Sequence, residues 1–218
     1  IRVLMRIGGD MFVRTGLLTV FLVLGTRAAT SIGADAGAAH HVIRQVWLFS
    51  ALALDALAIT AISLIGWYVG ANLIARARRV AALTCIWSLF FGILLAVGML
   101  LLERQVKSTF LPEEAWLIFS GAWFWSALAQ PLNALCFATD GIHWGTRDFR
   151  YLRNGMILAA IVGIGGLLVI DLSVAEALTQ VWQITAVWIF ARAAVGILRI
   201  WPGFGNAPIG ANRDKLRA

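Results

Sequence analysis

The stretch AALTCIWSLFFGILLAVGMLLL, residues 81–102, runs 22 residues without a charge. As a helix rising roughly 1.5 Å per residue it covers about 33 Å, enough to cross the roughly 30 Å hydrocarbon core of a bilayer. Only helices and closed barrels satisfy every backbone polar group in lipid. Barrel strands alternate apolar and polar residues over roughly ten positions, and this stretch shows no alternation. Working outward, five comparable runs lie at 8–27, 45–70, 115–142, 154–170 and 177–198. The first is interrupted by Asp10, Arg14 and Arg27, and the second holds only Asp55. The fourth contains Pro131, Asn133 and Asp140, and the sixth has Arg192 near its end. Hydrophobic residues make up 61% of the 218, charged residues 13%, and mean hydropathy is +0.84. A soluble domain carries about 25% charge. The expected fold class is all-α, a polytopic membrane protein with six transmembrane helices.

The basic residues orient these spans. With the N-terminus in the cytoplasm, twelve Lys and Arg fall inside, among them the Arg76/Arg78/Arg79 and Arg147/Arg150/Arg153 clusters. Four fall outside: Arg27, Arg44, Arg104 and Lys107. That bias, over short loops, predicts a multi-pass protein of the cell inner membrane with both termini cytoplasmic. Residues 1–200 form the six-helix unit and 201–218 a short basic cytoplasmic tail. The net charge of +7 follows from this topology and from anionic inner-leaflet lipid, so lipids are expected partners and nucleic acid is not. Cys85 and Cys136 stand on different spans without metal-type spacing and read as small apolar fillers. The chain opens at Ile1 inside what reads as a basic loop, without signal-peptide architecture, so a piece of a longer protein is expected. No P-loop, HExxH or GxSxG pattern is present, so nothing proposes an enzyme, a metal site or a cofactor. His40 and His41 are adjacent, point about 100° apart on a helix, and are expected at the outer loop.

Polar residues inside a span mark candidate function, because they cost several kcal/mol unless they face the bundle or a wet cavity. Ser126, Gln130, Asn133, Phe137 and Asp140 recur every three or four residues and share an arc of roughly 80°. Leu128, Leu135 and Ile142 lie opposite. The polar face either lines a solute cavity or bonds neighbouring helices. Pro131 removes a helix hydrogen bond and frees the carbonyl near Ala127, as a bending point beside a site or a static bend. Asp55 has Ala51, Ala58, Ile62 and Gly66 on its face, which points it into the bundle, toward a solute or paired with Arg14. Asp10 and Arg14 are i, i+4 and partly neutralise each other.

Three segments resemble the MATE family of multidrug and toxic compound extrusion transporters, most of all its DinF-like branch. They are GGDMFVRTGLL (8–18), IGADAGAAHHVIRQVWLFSALALDALAITAISLIG (32–66) and QPLNALCFATDGIHWGTRDFRYLRNGM (130–156). The third is the most specific, with its proline–asparagine pair, its Asp-Gly step and GTRDFRYLR. The resemblance covers nearly the whole chain and matches helices seven to twelve, the C-terminal half. It implies one six-helix lobe of a twelve-helix transporter, partnered by the missing N-terminal lobe. It further implies efflux of drugs and lipophilic, cationic small molecules by antiport against protons or sodium, through alternating access. Cavity-lining residues are then expected at Arg14, Asp55, Ser126, Gln130, Asn133, Phe137 and Asp140. The NorM-like cation site places acids where this chain has Leu18 and Asn133, so a sodium site of that type is not expected. The DinF-like Asp-Gly step is Asp55–Ala56 here, and the coupling carboxylate of that branch belongs to the other lobe. Alternatives are a lipid-linked precursor flippase of the same superfamily, a non-transporting membrane scaffold or an intramembrane enzyme. Mixed embedded charges, Asp10, Asp55 and Asp140 against Arg14 and Arg192, favour drug export over the cationic lumen of a flippase.

Overall fold

The computed structural model describes residues 1–201, 203 and 206–210. Their regular structure is helical: α1 (Arg2–Ile32), α2 (Ala34–Gly70), α3 (Ile74–Phe110), α4 (Trp116–Leu128), α5 (Gln130–Gly145), α6 (Phe149–Leu168) and α7 (Ala177–Ile200). One 3₁₀ turn, Glu113–Ala115, precedes α4. Of the expected tail, Arg213, Lys215 and Arg217 lie outside the described residues. Its nearer part folds back on α3, where Arg78 Nε donates to the Ile209 carbonyl at 2.7 Å.

Five of the expected spans are single helices, longer than their apolar runs. The fourth is two helices. Ala129 closes α4 by donating to the Trp125 carbonyl at 3.1 Å, and Asn133 opens the α5 ladder by donating to the Ala129 carbonyl at 2.8 Å. Pro131, in the first turn of α5, has no N–H for the carbonyl of Ala127 four residues back. Ala129 keeps right-handed backbone (φ −76°, ψ −12°), so the break is a lost rung and not a reversal. The expectation for the histidines is corrected too: His40 and His41 lie inside α2 rather than in a loop. Gly33 ends α1 before them, and the alanine-rich run that follows favours helix and carries it through Gly37.

The three longest helices are joined by very little backbone. Gly33 alone separates α1 from α2 at φ 154°, a value that excludes side chains. Residues 71–73 separate α2 from α3, with Asn72 at φ 59°, the left-handed region that asparagine tolerates. At 37 residues each, α2 and α3 are about 55 Å long.

Small residues set the helix crossings. A Cβ added at Gly141 of α5 would lie 2.6 Å from the Ala58 carbonyl oxygen of α2 and 2.9 Å from its Cα. One added at Gly145 would lie 3.0 Å from the Ile62 carbonyl oxygen. Gly141 and Gly145 form a GxxxG step, which lets two backbones approach in a membrane where lipid offers no hydrophobic drive for association. Gly92 plays the same part between α3 and α5, where its Cβ would meet Ala134 Cβ at 2.7 Å. Around these crossings lie three buried clusters, one centred on Ile43, Phe119 and Trp123, one on Phe21, Trp188 and Ile189, and one on Ile65, Ala81 and Ile142. The outer faces are apolar instead of charged: Ile86, Phe90 and Leu101 on α3, Phe12 and Val23 on α1 and Ile161 on α6 are all exposed. Apolar side chains on that scale outside the fold fit hydrocarbon and not water.

Candidate functional site

Helices α1, α2, α5 and α7 leave an open cavity of about 510 Å³ between them. Helix α1 supplies Arg14, Leu18 and Leu22; α5 supplies Phe137, Asp140, Gly141 and Trp144; α7 supplies Arg192. From α2 come Trp47, Leu48, Ala51, Leu52, Asp55, Ala58, Ile59 and Ile62. On that helix Leu48, Leu52, Asp55 and Ile59, spaced by four, three and four, are exposed on the open side. Asp55 therefore stands on the cavity wall, without an ion pair among the described residues.

The charged centre of the wall is Asp140. Arg14 Nη2 donates to its Oδ2 from α1, and Arg192 Nη2 donates to the same oxygen from α7 at 2.9 Å. The arginine side chains are only 13% and 8% exposed, so one carboxylate neutralises one of two nearly buried cations. Arg192 also lies over the Trp188 ring at 4.7 Å, a cation–π contact that fixes the guanidinium plane. Behind the cluster is a small cavity of about 20 Å³, reached by His143 and Tyr151. His143 Nε2 lies 3.2 Å from the Gly196 carbonyl, which only accepts, so Nε2 carries the proton there. The Tyr151 hydroxyl donates to the Val195 carbonyl at 2.8 Å.

These pairings replace those expected from spacing. Arg14 pairs with Asp140 and with neither Asp10 nor Asp55. Asp10, 5% exposed, is met by Arg153 of α6. Residues i and i+4 share a helix face, but α5 and α6 each bring an opposite charge to that face, and a buried carboxylate needs a directed partner.

The expected polar stripe divides within α5, between Asn133 and Phe137. Phe137 and Asp140 line the large cavity. Ser126, Gln130 and Asn133 are fully buried in the packed interior, with Asn133 Nδ2 donating to Gln130 Oε1 at 3.5 Å. Ser126 Oγ, Gln130 Nε2 and Asn133 Oδ1 have no hydrogen-bond partner among the described residues. Of the expected cavity residues, then, Arg14, Asp55, Phe137 and Asp140 come together on one surface. Arg192 and Trp144 join them without having been singled out. Arg192 was visible as an ionisable group inside a span. Trp144 carried no signal, being one apolar residue near a helix end.

No protein-family model matches the chain. It is similar to Protein DETOXIFICATION 42 of Arabidopsis thaliana, 29% identical over 202 residues, covering 92% of this chain and 39% of the relative. It is also similar to Protein DETOXIFICATION 45, chloroplastic, of the same plant, 28% identical over 195 residues, covering 88% of this chain and 34% of that one. The chain thus spans under two-fifths of the length of both relatives. In fold it is similar to a MATE transporter solved in a bent conformation, with TM-score 0.83 and 17% identity over 96% of this chain and 47% of that one. An outward-facing multidrug resistance MATE transporter of the MOP superfamily gives TM-score 0.80 and 16% identity, over 98% of this chain and 49% of that one.

Proposed function

We propose that this chain, which belongs to the MATE family, forms one six-helix lobe of a two-lobe efflux transporter. The cavity built from one side only carries this reading: about 510 Å³ walled by α1, α2, α5 and α7, with an exposed α2 stripe where a second lobe would close it. Leu18, Leu22, Phe137 and Trp144 offer apolar surface to a lipophilic solute, and Asp55 offers an unpaired carboxylate to a cation. Rocking of the two lobes exposes the cavity to each side in turn, driven by proton or sodium antiport. The lobe sits in the inner membrane with both termini cytoplasmic, as the basic loops suggest.

Transport assays of the complete two-lobe protein in proteoliposomes test the function. An imposed proton or sodium gradient should drive accumulation of a lipophilic cation, and no response to either gradient refutes antiport. Asp55→Asn should raise KM for that cation about fivefold to tenfold, the loss of one nearby charge, with the folded fraction unchanged. An unchanged KM removes Asp55 from the site.

Orientation has its own test. Cysteines at Glu113 and at Ala71, both exposed and at opposite ends of the bundle, should react from opposite sides of the membrane in intact cells. Reaction of Ala71→Cys with an impermeant reagent from outside would reverse the topology.

A further inference from the structure

Beyond the charged centre, at the far end of the large cavity, α1, α2 and α7 line a second small pocket, also of about 20 Å³. Trp47 and Leu22 belong to both cavities, so one layer of side chains divides them. His40, Trp47 and Trp182 line the pocket, each less than a tenth exposed. Three of their nitrogens, His40 Nδ1, Trp47 Nε1 and Trp182 Nε1, have no hydrogen-bond partner among the described residues.

The proton positions follow from Thr26. Its hydroxyl donates its single hydrogen to the Leu22 carbonyl at 2.9 Å, so toward every other neighbour it only accepts. Arg44 Nη1 donates to that oxygen, and with the hydroxyl hydrogen on the Leu22 carbonyl, His40 Nε2, 3.3 Å away, donates to it as well. With Nε2 protonated, Nδ1 of the neutral ring is an acceptor, while indole nitrogens are donors only. The partnerless buried atoms are therefore two donors and one acceptor, while Arg44 and Thr185, which also line the pocket, donate to Thr26 and to the Val181 carbonyl. Its volume admits one oxygen atom and little more, since one water needs roughly 10–15 Å³ on this measure.

We infer that His40, Trp47 and Trp182 form a site for a single hydroxyl oxygen, which accepts from both indoles and donates to His40 Nδ1. A carbonyl or ether oxygen satisfies the indoles but sets a lone pair against Nδ1. An ammonium satisfies Nδ1 and opposes both indole hydrogens. Water has the required pattern, and so does the hydroxyl of a solute whose end reaches past Trp47. The second source rests on the export reading above.

Two measurements on the complete transporter test this and separate the sources. A density map fine enough to show ordered water should hold one peak within hydrogen-bond distance of all three nitrogens in the solute-free protein. Transport is then compared for a quaternary ammonium carrying a hydroxyphenyl group and for its methyl ether. If the solute supplies the hydroxyl, the phenol is preferred about tenfold, the net worth of one hydrogen bond. That preference then disappears in His40→Phe, which removes the one acceptor that the phenol satisfies and the ether does not. A peak with no preference assigns the site to water. An empty pocket together with equal transport of both probes overturns the site. Failure to transport either probe counts against export, and the map alone then decides the site.

Discussion

Replacing Asp140 by Ala is expected to lower the stability of the bundle by about 3–5 kcal/mol, the cost of leaving buried charges without their partner. Arg14 and Arg192 meet on one carboxylate oxygen from two different helices, and both side chains are nearly buried. Without the anion, two cations face each other across the cavity wall. Reversible unfolding in bilayer discs measures the loss. A compensating variant makes the test specific. With Arg14→Met, Arg192→Met and Asp140→Leu together, most stability should return, because apolar replacement of a whole buried ionic group is often neutral or favourable. An Asp140→Ala protein as stable as the wild type would mean that this pairing does not hold the three helices together.

Gly141→Val is the second change with a large expected effect. The new Cβ would lie against the carbonyl oxygen and Cα of Ala58, and backbone cannot swing aside as a side chain does. Helices α2 and α5 must separate, taking Asp55 and Asp140 apart. Overpacking of this kind costs typically about 1–3 kcal/mol, and the branched side chain puts Val at the upper end. Gly165→Ala on α6 is the control, since nothing lies within 4 Å of its added Cβ. There the gain in helix propensity should raise stability by up to about 1 kcal/mol. Equal effects of the two substitutions on thermal unfolding would remove the α2–α5 crossing as their cause.

The number and order of spans were legible because each rests on a local property, a long apolar run bounded by charge. Helix ends were less so. Helix α2 continues through residues 34–44, where composition turns polar but no residue stops a helix. Pro131 marked the place of the interruption, expected as a bend within one span and found as a division into two helices, since its missing N–H is a property of the residue itself. Partners of the charges could not be read. Arg14 has carboxylates at Asp10, Asp55 and Asp140 to choose from, and the choice depends on how α1 lies against α5 and α6. The polar face of residues 126–140 was visible as periodicity. Its division into a buried part and a cavity part follows from a tight α3–α5 contact at Gly92, which spacing alone does not reveal.

The short connections between the first three helices have a mechanical consequence. A hinge needs backbone whose dihedrals can change without breaking hydrogen bonds, and the links here are Gly33 and residues 71–73. Each of α2 and α3 also exceeds the roughly 30 Å hydrocarbon core by about 25 Å, so rigid helix stands where other membrane proteins have slack loops. A torque applied at one end of this trio is therefore carried to the other as in a lever. Whatever bending the lobe permits falls outside these links, at Ala129 and in the loop between α6 and α7.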